Sequence, residues 1–219
     1  INHEELHDGV YYYKNVIKDP YALVAAIEDT ENVDSIKDII DNWIDWGVEA
    51  DRGTVYWYGR KKRVLLNSLE DIDKKDLSPE DLARCKYIFD TVFNGFNEVA
   101  KDYKEKRNVE DEIVILSQMN VHKYKENTWM GTHHDAQEGD TRLKYSMILY
   151  VNDDYEGGEI EFRHSGLKFK PEAGSVLFFP SNFLYVHEVY PVTRGPRYAL
   201  PNWYHNVPLG QKRDSTGAE

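Results

Sequence analysis

Cysteine is nearly absent from this chain: Cys85 is the only one in 219 residues. That excludes an intramolecular disulfide framework, a cysteine-rich zinc site and an iron–sulfur cluster held by this chain alone. It is compatible with a reducing compartment. Basic residues are also scarce, with 27 Lys and Arg against 39 Asp and Glu, a formal net charge of −12. Such a chain gains little from phosphate neutralisation and is repelled by anionic lipid surfaces. Neither nucleic acid nor a membrane is therefore expected as a partner. No apolar run approaches the about 18 residues that a spanning helix needs. The first residues, Ile1-Asn2-His3-Glu4-Glu5, show neither the basic start nor the apolar stretch of a secretory leader. A soluble, cytoplasmic protein is the expectation. Core-forming residues are plentiful, 41% hydrophobic and 13% aromatic, too many for a disordered chain. The length suits one domain with a sizeable core.

The two halves read differently. Residues 1 to about 108 are mostly helical in pattern. Asp19-Pro20 supplies a cap and a first-turn proline for a helix to about Asp29. A second helix is expected from Val33 to Trp46, stopped at Gly47. In the third, Ser78 caps and Pro79 opens. Leu82, Cys85, Phe89, Val92, Phe93, Phe96, Val99, Ala100 and Tyr103 then recur at three- and four-residue steps to about Lys106. That apolar face is suited to covering a sheet. From Glu112 the period shortens, and Val-, Ile-, Tyr- and Phe-rich runs alternate with Gly, Asp, Asn and Pro. Strands are expected near 112–124, 142–151, 158–164, 167–170, 175–180, 183–189 and 196–204, a density that points to a sandwich or barrel. Thr54–Tyr58 reads as a further strand. The basic run Arg60–Arg63 is either a solvated loop or part of a flap spanning about 52–66.

Five of the eight histidines fall between His122 and His187. On an extended segment, residues i and i+2 point the same way, so His133 and Asp135 face one point and His134 faces away. His187 lies in a second β-type run, Val186-His187-Glu188-Val189. A lone histidine there is commonly a satisfied core residue. Two imidazoles and one carboxylate would, however, form the facial triad that holds Fe(II) with three positions open. Arg197 follows ten positions after His187, across Gly195-Pro196. Its planar fork suits a buried carboxylate, and unpaired burial would be costly.

The ordered set His133-x-Asp135, His187 and Arg197 resembles the iron(II)- and 2-oxoglutarate-dependent dioxygenases, with the prolyl 4-hydroxylase branch the nearer match. Tyr124, nine positions before His133, is similar to the tyrosine of that branch's Y-x-x-G segment. Tyr150-Val151-Asn152 resembles its Y-L-N strand end, and Gly157-Gly158-Glu159-Ile160-Glu161-Phe162 its G-G-E-T-x-F hairpin. Lys170-Pro171 through Phe179, His187-Glu188-Val189, and Arg197-Tyr198-Ala199-Leu200 through Trp203 are similar to its later strands. The likeness spans about residues 110–206. Three features depart from it. Tyr124 is followed by Lys125-Glu126-Asn127 without a glycine, Met130 replaces an aromatic residue, and Pro201 stands where some relatives have threonine. All three bear on the substrate pocket rather than on the triad.

The resemblance implies a mainly β protein with flanking helices, a double-stranded β-helix or jelly-roll core supported by N-terminal α-helices. It implies one catalytic domain over 1–210: mostly helical support and edge strands to 110, the core over 111–206, and a disordered tail at 211–219. It implies His133, Asp135 and His187 as iron ligands. Arg197 would hold the distal carboxylate of 2-oxoglutarate, with Tyr150 as hydroxyl partner and Tyr124 and Trp203 lining the co-substrate or substrate side. Tyr124, Tyr150 and Trp203 read equally well as ordinary barrel core, and the Gly157-Gly158 pair as a plain turn. Fe(II), 2-oxoglutarate and dioxygen are the implied cofactor and co-substrates, with ascorbate a further candidate; Mn, Ni, Co or Zn can replace iron at such a site. The implied substrate is a proline-containing peptide or protein. The alternatives are a free amino acid or other small molecule and, from a different class, a non-catalytic metal-binding jelly-roll module. Oligomeric state stays open.

Overall fold

A computed structural model of the chain describes residues 1–31, 57–58, 78–109, 112–115, 121–136 and 143–207. The expected helix at 33–46, the strand start at 54–56, the basic run at 60–63 and the tail at 211–219 lie outside the described residues. Strands β1 (Asn2–His7) and β2 (Val10–Lys14) come first. Helix α1 (Pro20–Glu31), β3 (Trp57–Tyr58) and helix α2 (Pro79–Lys106) follow. Then come β4 (Glu112–Ile115), β5 (His122–Tyr124), β6 (Trp129–His133), β7 (Leu143–Tyr150), β8 (Glu156–Gly157), β9 (Ile160–Phe162), β10 (Leu167–Phe169), β11 (Ser175–Pro180), β12 (His187–Val189), β13 (Val192–Arg194) and β14 (Arg197–Val207).

The strands pair antiparallel throughout. One sheet runs β1-β2-β11-β7-β14-β4, with β5 also on β14; a second runs β10-β9-β12-β6-β3; β8 and β13 form a short ribbon. Side-chain alternation on the large sheet fills two cores. Tyr11, Tyr13, Met147, Leu149, Val176, Phe178, Tyr198, Leu200 and Tyr204 pack outward with Leu23 and Ile27 of α1 and Ile88, Val92, Phe96, Val99 and Tyr103 of α2. Tyr12, Ile148, Tyr150, Leu177, Phe179 and Ala199 pack inward against Met130, Ile160, Phe162 and Val189 of the second sheet. Two facing sheets with helices over one outer face make the expected jelly roll, with a helical support on the face of the large sheet.

Helix α2 keeps its expected limits. The Ser78 hydroxyl accepts the Asp81 N–H at 3.1 Å, and Pro79 fills a first-turn position that needs no N–H. Asp19 caps α1 by accepting the Ala22 N–H at 3.0 Å.

The first half opens on two strands, β1 and β2; Val10-Tyr11-Tyr12-Tyr13 is buried on both faces and shows no polar alternation, so the sequence did not locate it. Two expectations are corrected. The run 183–189 is not one strand. Asn182 accepts the Leu184 N–H at 3.0 Å and starts a 3₁₀ turn over Phe183–Tyr185, so the strand begins at His187. The described part of 112–124 forms two strands, β4 and β5, laid end to end along β14. Among the described residues, no helix is long and apolar enough to cross a membrane.

Candidate metal centre and anion pocket

The jelly roll brings the histidine pair together through one register. β12 lies beside β6, and His187 is the cross-strand partner of His133. Their ring centroids are 4.4 Å apart. Asp135, two positions past His133, returns its carboxylate to both rings: Oδ1 lies 3.3 Å from Nε2 of His133 and 3.8 Å from Nε2 of His187. The ligating atoms of the three residues lie within 4.8 Å of one another.

Each ring is oriented from behind. Nδ1 of His133 is 2.8 Å from the Gly131 carbonyl, and Nδ1 of His187 is 2.9 Å from the Tyr185 carbonyl. A carbonyl oxygen only accepts, so each Nδ1 carries a proton and each ring turns its Nε2 toward Asp135. Burial, then the charge of His133, pushes His187 down to about 4, which keeps this ring neutral near pH 7. Burial alone would raise Asp135. In the acid range, where the rings are protonated, the charge of His187, the hydrogen bond and charge of His133, and a hydrogen bond from Ser146 outweigh it and hold the carboxyl below its usual range. Ser146 is itself held by Ser181 at 2.7 Å, and the Ala136 N–H donates to the Ser181 carbonyl at 2.9 Å. Two lone-pair donors converging on an ionised carboxylate fit a divalent cation, and the backing carbonyls are the outer contacts that orient metal-ligating histidines.

Arg197 begins β14 and faces inward on the opposite sheet. It is 1% exposed, yet its Nε and Nη1 have no hydrogen-bond partner among the described residues. Tyr124, its neighbour on β5, Tyr150 and Tyr155 surround it, with ring centroids 4.7, 5.2 and 6.0 Å from the guanidinium carbon. The hydroxyls of Tyr150 and Tyr155 are buried and unpartnered too. Burying an isolated charge costs on the order of several kcal/mol. A cation and neutral phenols with free donors therefore fit an entering carboxylate. Burial raises Tyr124 to about 12, partly offset by Arg197, and raises Tyr150 and Tyr155 against the same opposing charge. All three phenols remain protonated donors near neutral pH.

Two residues not assigned from sequence build this pocket. Asn152 donates to Asp154 Oδ1 at 2.7 Å and to the Pro196 carbonyl at 2.8 Å, and accepts the Tyr198 N–H at 2.8 Å. It pins the Gly195-Pro196 turn that launches Arg197. Gly158, at φ +66°, leaves the space that the Arg197 stem occupies; a Cβ there would meet Arg197 Cδ at 2.9 Å. Gly157 is equally constrained, since its Cβ would meet the Pro191 carbonyl at 2.3 Å. The missing glycine after Tyr124 is replaced by Asn127, which adopts φ +63° and donates its N–H to the Val192 carbonyl at 2.7 Å. Trp203 lies opposite Ser146 rather than Tyr150. Six residues at roughly 3.3 Å each separate it from Arg197 along the strand, so it belongs to the Ser146 end. Its Nε1 is buried without a partner among the described residues.

Residues 119–205 match the 2OG-Fe(II) oxygenase superfamily. That segment is less than half of the chain and is what the chain shares with that superfamily. Prolyl 3-hydroxylase 2 of Rattus norvegicus is 38% identical over 80 residues, covering 34% of this chain and 11% of the relative. The chain thus spans only about a tenth of that relative's length. Among solved structures, a Pseudomonas putida prolyl-4-hydroxylase aligns at TM-score 0.58 and 18% identity, covering 91% of this chain and 93% of that one. A Trichoplax adhaerens prolyl hydroxylase, solved with a hypoxia inducible factor peptide fragment, aligns at 0.62 and 15%, covering 90% and 84%. At these identities the two structures establish a shared fold. The matched superfamily implies Fe(II), 2-oxoglutarate and dioxygen.

Proposed function

We propose that this protein is an Fe(II)- and 2-oxoglutarate-dependent dioxygenase that hydroxylates an unactivated C–H bond of a prolyl residue in a peptide or protein. One observation carries the reading: a two-histidine, one-carboxylate cluster shares a barrel with a buried arginine that has free donors. His133, Asp135 and His187 would hold the metal and leave adjacent positions open. Arg197, with Tyr150 beside it, would fix the distal carboxylate of 2-oxoglutarate. When bound, iron and 2-oxoglutarate would supply the oxidising chemistry: 2-oxoglutarate is converted to succinate and carbon dioxide, with one atom of dioxygen entering succinate and the other the substrate C–H bond.

The chain's own residues position and exclude. The backing carbonyls of Gly131 and Tyr185 fix both imidazoles, so the ligand geometry is preorganised rather than assembled. The inward apolar residues Ile148, Leu177, Phe179 and Phe162 keep bulk water from the reacting centre. Arg197 disfavours the non-catalytic module, because a site built only to hold a metal has no use for a buried cation with unpaired donors. The prolyl assignment is supported by relatives named for 3- and 4-hydroxylation and by a neighbour solved with a peptide.

The test is turnover of proline-containing peptides and of free proline with Fe(II), 2-oxoglutarate and dioxygen. Expected are substrate-dependent succinate and a peptide product heavier by one oxygen, with NMR assigning the ring carbon. Asp135→Ala and His187→Ala should abolish both signals. Full activity in either variant removes the triad, and oxidation of free proline alone would replace the peptide reading.

A further inference from the structure

Tyr155 has a hydroxyl that the proposed reaction does not yet use. The residue is 2% exposed and its phenolic oxygen is buried without a partner among the described residues. Its ring is held in place. On one side Lys170 Nζ lies 4.5 Å from the ring centroid, and the guanidinium carbon of Arg197 lies 6.0 Å from it. Lys170 also donates to the carbonyls of Asp153, at 2.7 Å, and of Tyr155 itself, at 2.5 Å, clamping the backbone on both sides of Asp154. Below, Tyr155 and Arg197 close over the same bare glycine: the missing Cβ of Gly158 would lie 3.1 Å from Tyr155 Cε2 and 2.9 Å from Arg197 Cδ. The phenol and the guanidinium are thus neighbours by construction.

Four polar atoms of this cluster lack partners among the described residues: Arg197 Nε, Arg197 Nη1, Tyr150 Oη and Tyr155 Oη. A carboxylate offers about four lone-pair sites on two oxygens. The guanidinium donors can fill part of the set, and the two phenols supply further donors. One phenol alone would leave a lone pair, or the second phenol, unsatisfied in a dry pocket. Resting on the co-substrate reading above, we propose that Tyr155 is a specificity-determining residue that donates to the distal carboxylate of 2-oxoglutarate. Together with Tyr150, it makes the pocket select 2-oxo acids that end in a second carboxylate.

The test uses the full chain loaded with Mn(II), which reports binding without turnover. Calorimetry measures 2-oxoglutarate and 2-oxopentanoate, which has the same number of carbons and no distal carboxylate. Tyr155→Phe keeps the ring between its two cations and removes one donor. It should weaken 2-oxoglutarate about tenfold, the lower range for a hydrogen bond to a charged group, and leave 2-oxopentanoate unchanged. Arg197→Gln should weaken 2-oxoglutarate further in the same pattern. If Arg197→Gln weakens it and Tyr155→Phe does not, the role of Tyr155 is overturned and the co-substrate reading stands. If Tyr155→Phe weakens both acids equally, the hydroxyl is structural and the proposal fails. If Arg197→Gln has no effect, the co-substrate reading fails first. Melting temperatures of the metal-free variants verify that each remains folded.

Discussion

Gly158→Ala separates backbone strain from steric conflict at the floor of the anion pocket. The residue stands at φ +66°, where any L side chain is strained by roughly 1–2 kcal/mol. The added methyl would also meet Arg197 Cδ at 2.9 Å, Tyr155 Cε2 at 3.1 Å and Val192 Cγ2 at 3.1 Å. None of these is a loose chain end, because all three side chains belong to buried residues. Overpacking of a filled site adds roughly 1–3 kcal/mol, for a total of about 2–5 kcal/mol. Gly166 is the internal control: it has the same φ of +66°, but nothing lies within 4 Å of its absent Cβ. Gly166→Ala should therefore cost only the backbone part, about 1–2 kcal/mol. For a chain of this size, each kcal/mol lowers the melting temperature by roughly 2–4 °C, so thermal unfolding resolves the difference. The same methyl displaces the Arg197 stem, so 2-oxoglutarate binding to the Mn(II) form should weaken at least about tenfold in Gly158→Ala and stay unchanged in Gly166→Ala. Equal melting temperatures and equal affinities in the two variants would refute the claim that Gly158 shapes the arginine site.

Two further outcomes are expected. Asn152→Ala removes three hydrogen bonds around the Gly195-Pro196 turn; it should cost about 2–3 kcal/mol and weaken 2-oxoglutarate more than it weakens Mn(II), as calorimetry with each ligand would measure. Ser78→Ala removes the cap of α2 and should cost about 1 kcal/mol in chemical denaturation, with no change in 2-oxoglutarate affinity, because α2 covers the outer face of the large sheet.

The readable parts of this protein are those set by close neighbours in sequence. Ser78-Pro79 and the apolar spacing that follows dictate α2, because a cap and a repeat of about 3.6 residues act within a few turns. The strand at Ser175–Pro180 has its expected ends. The common direction of His133 and Asp135 follows from the two-residue period of an extended segment. The converse failure also has a cause. Tyr11 to Tyr13 is buried on both faces, so it loses the alternation that would mark it, and the chain context there read as helical. Tyr155 gave no signal beyond an aromatic residue just before the glycine pair.

Sequence alone determined the chemical inventory of the site, two imidazoles, a carboxylate and a guanidinium, and the local geometry of one of its pairs. Tertiary structure decided where they meet. His187 reaches His133 only through the β12–β6 register. Arg197, although an even number of positions from His187, stands on the other sheet because β13 and a Gly195 at φ +72° intervene. A dihedral preference extends over a few residues, whereas a pocket is closed by strands whose pairing is fixed by burial across the whole barrel.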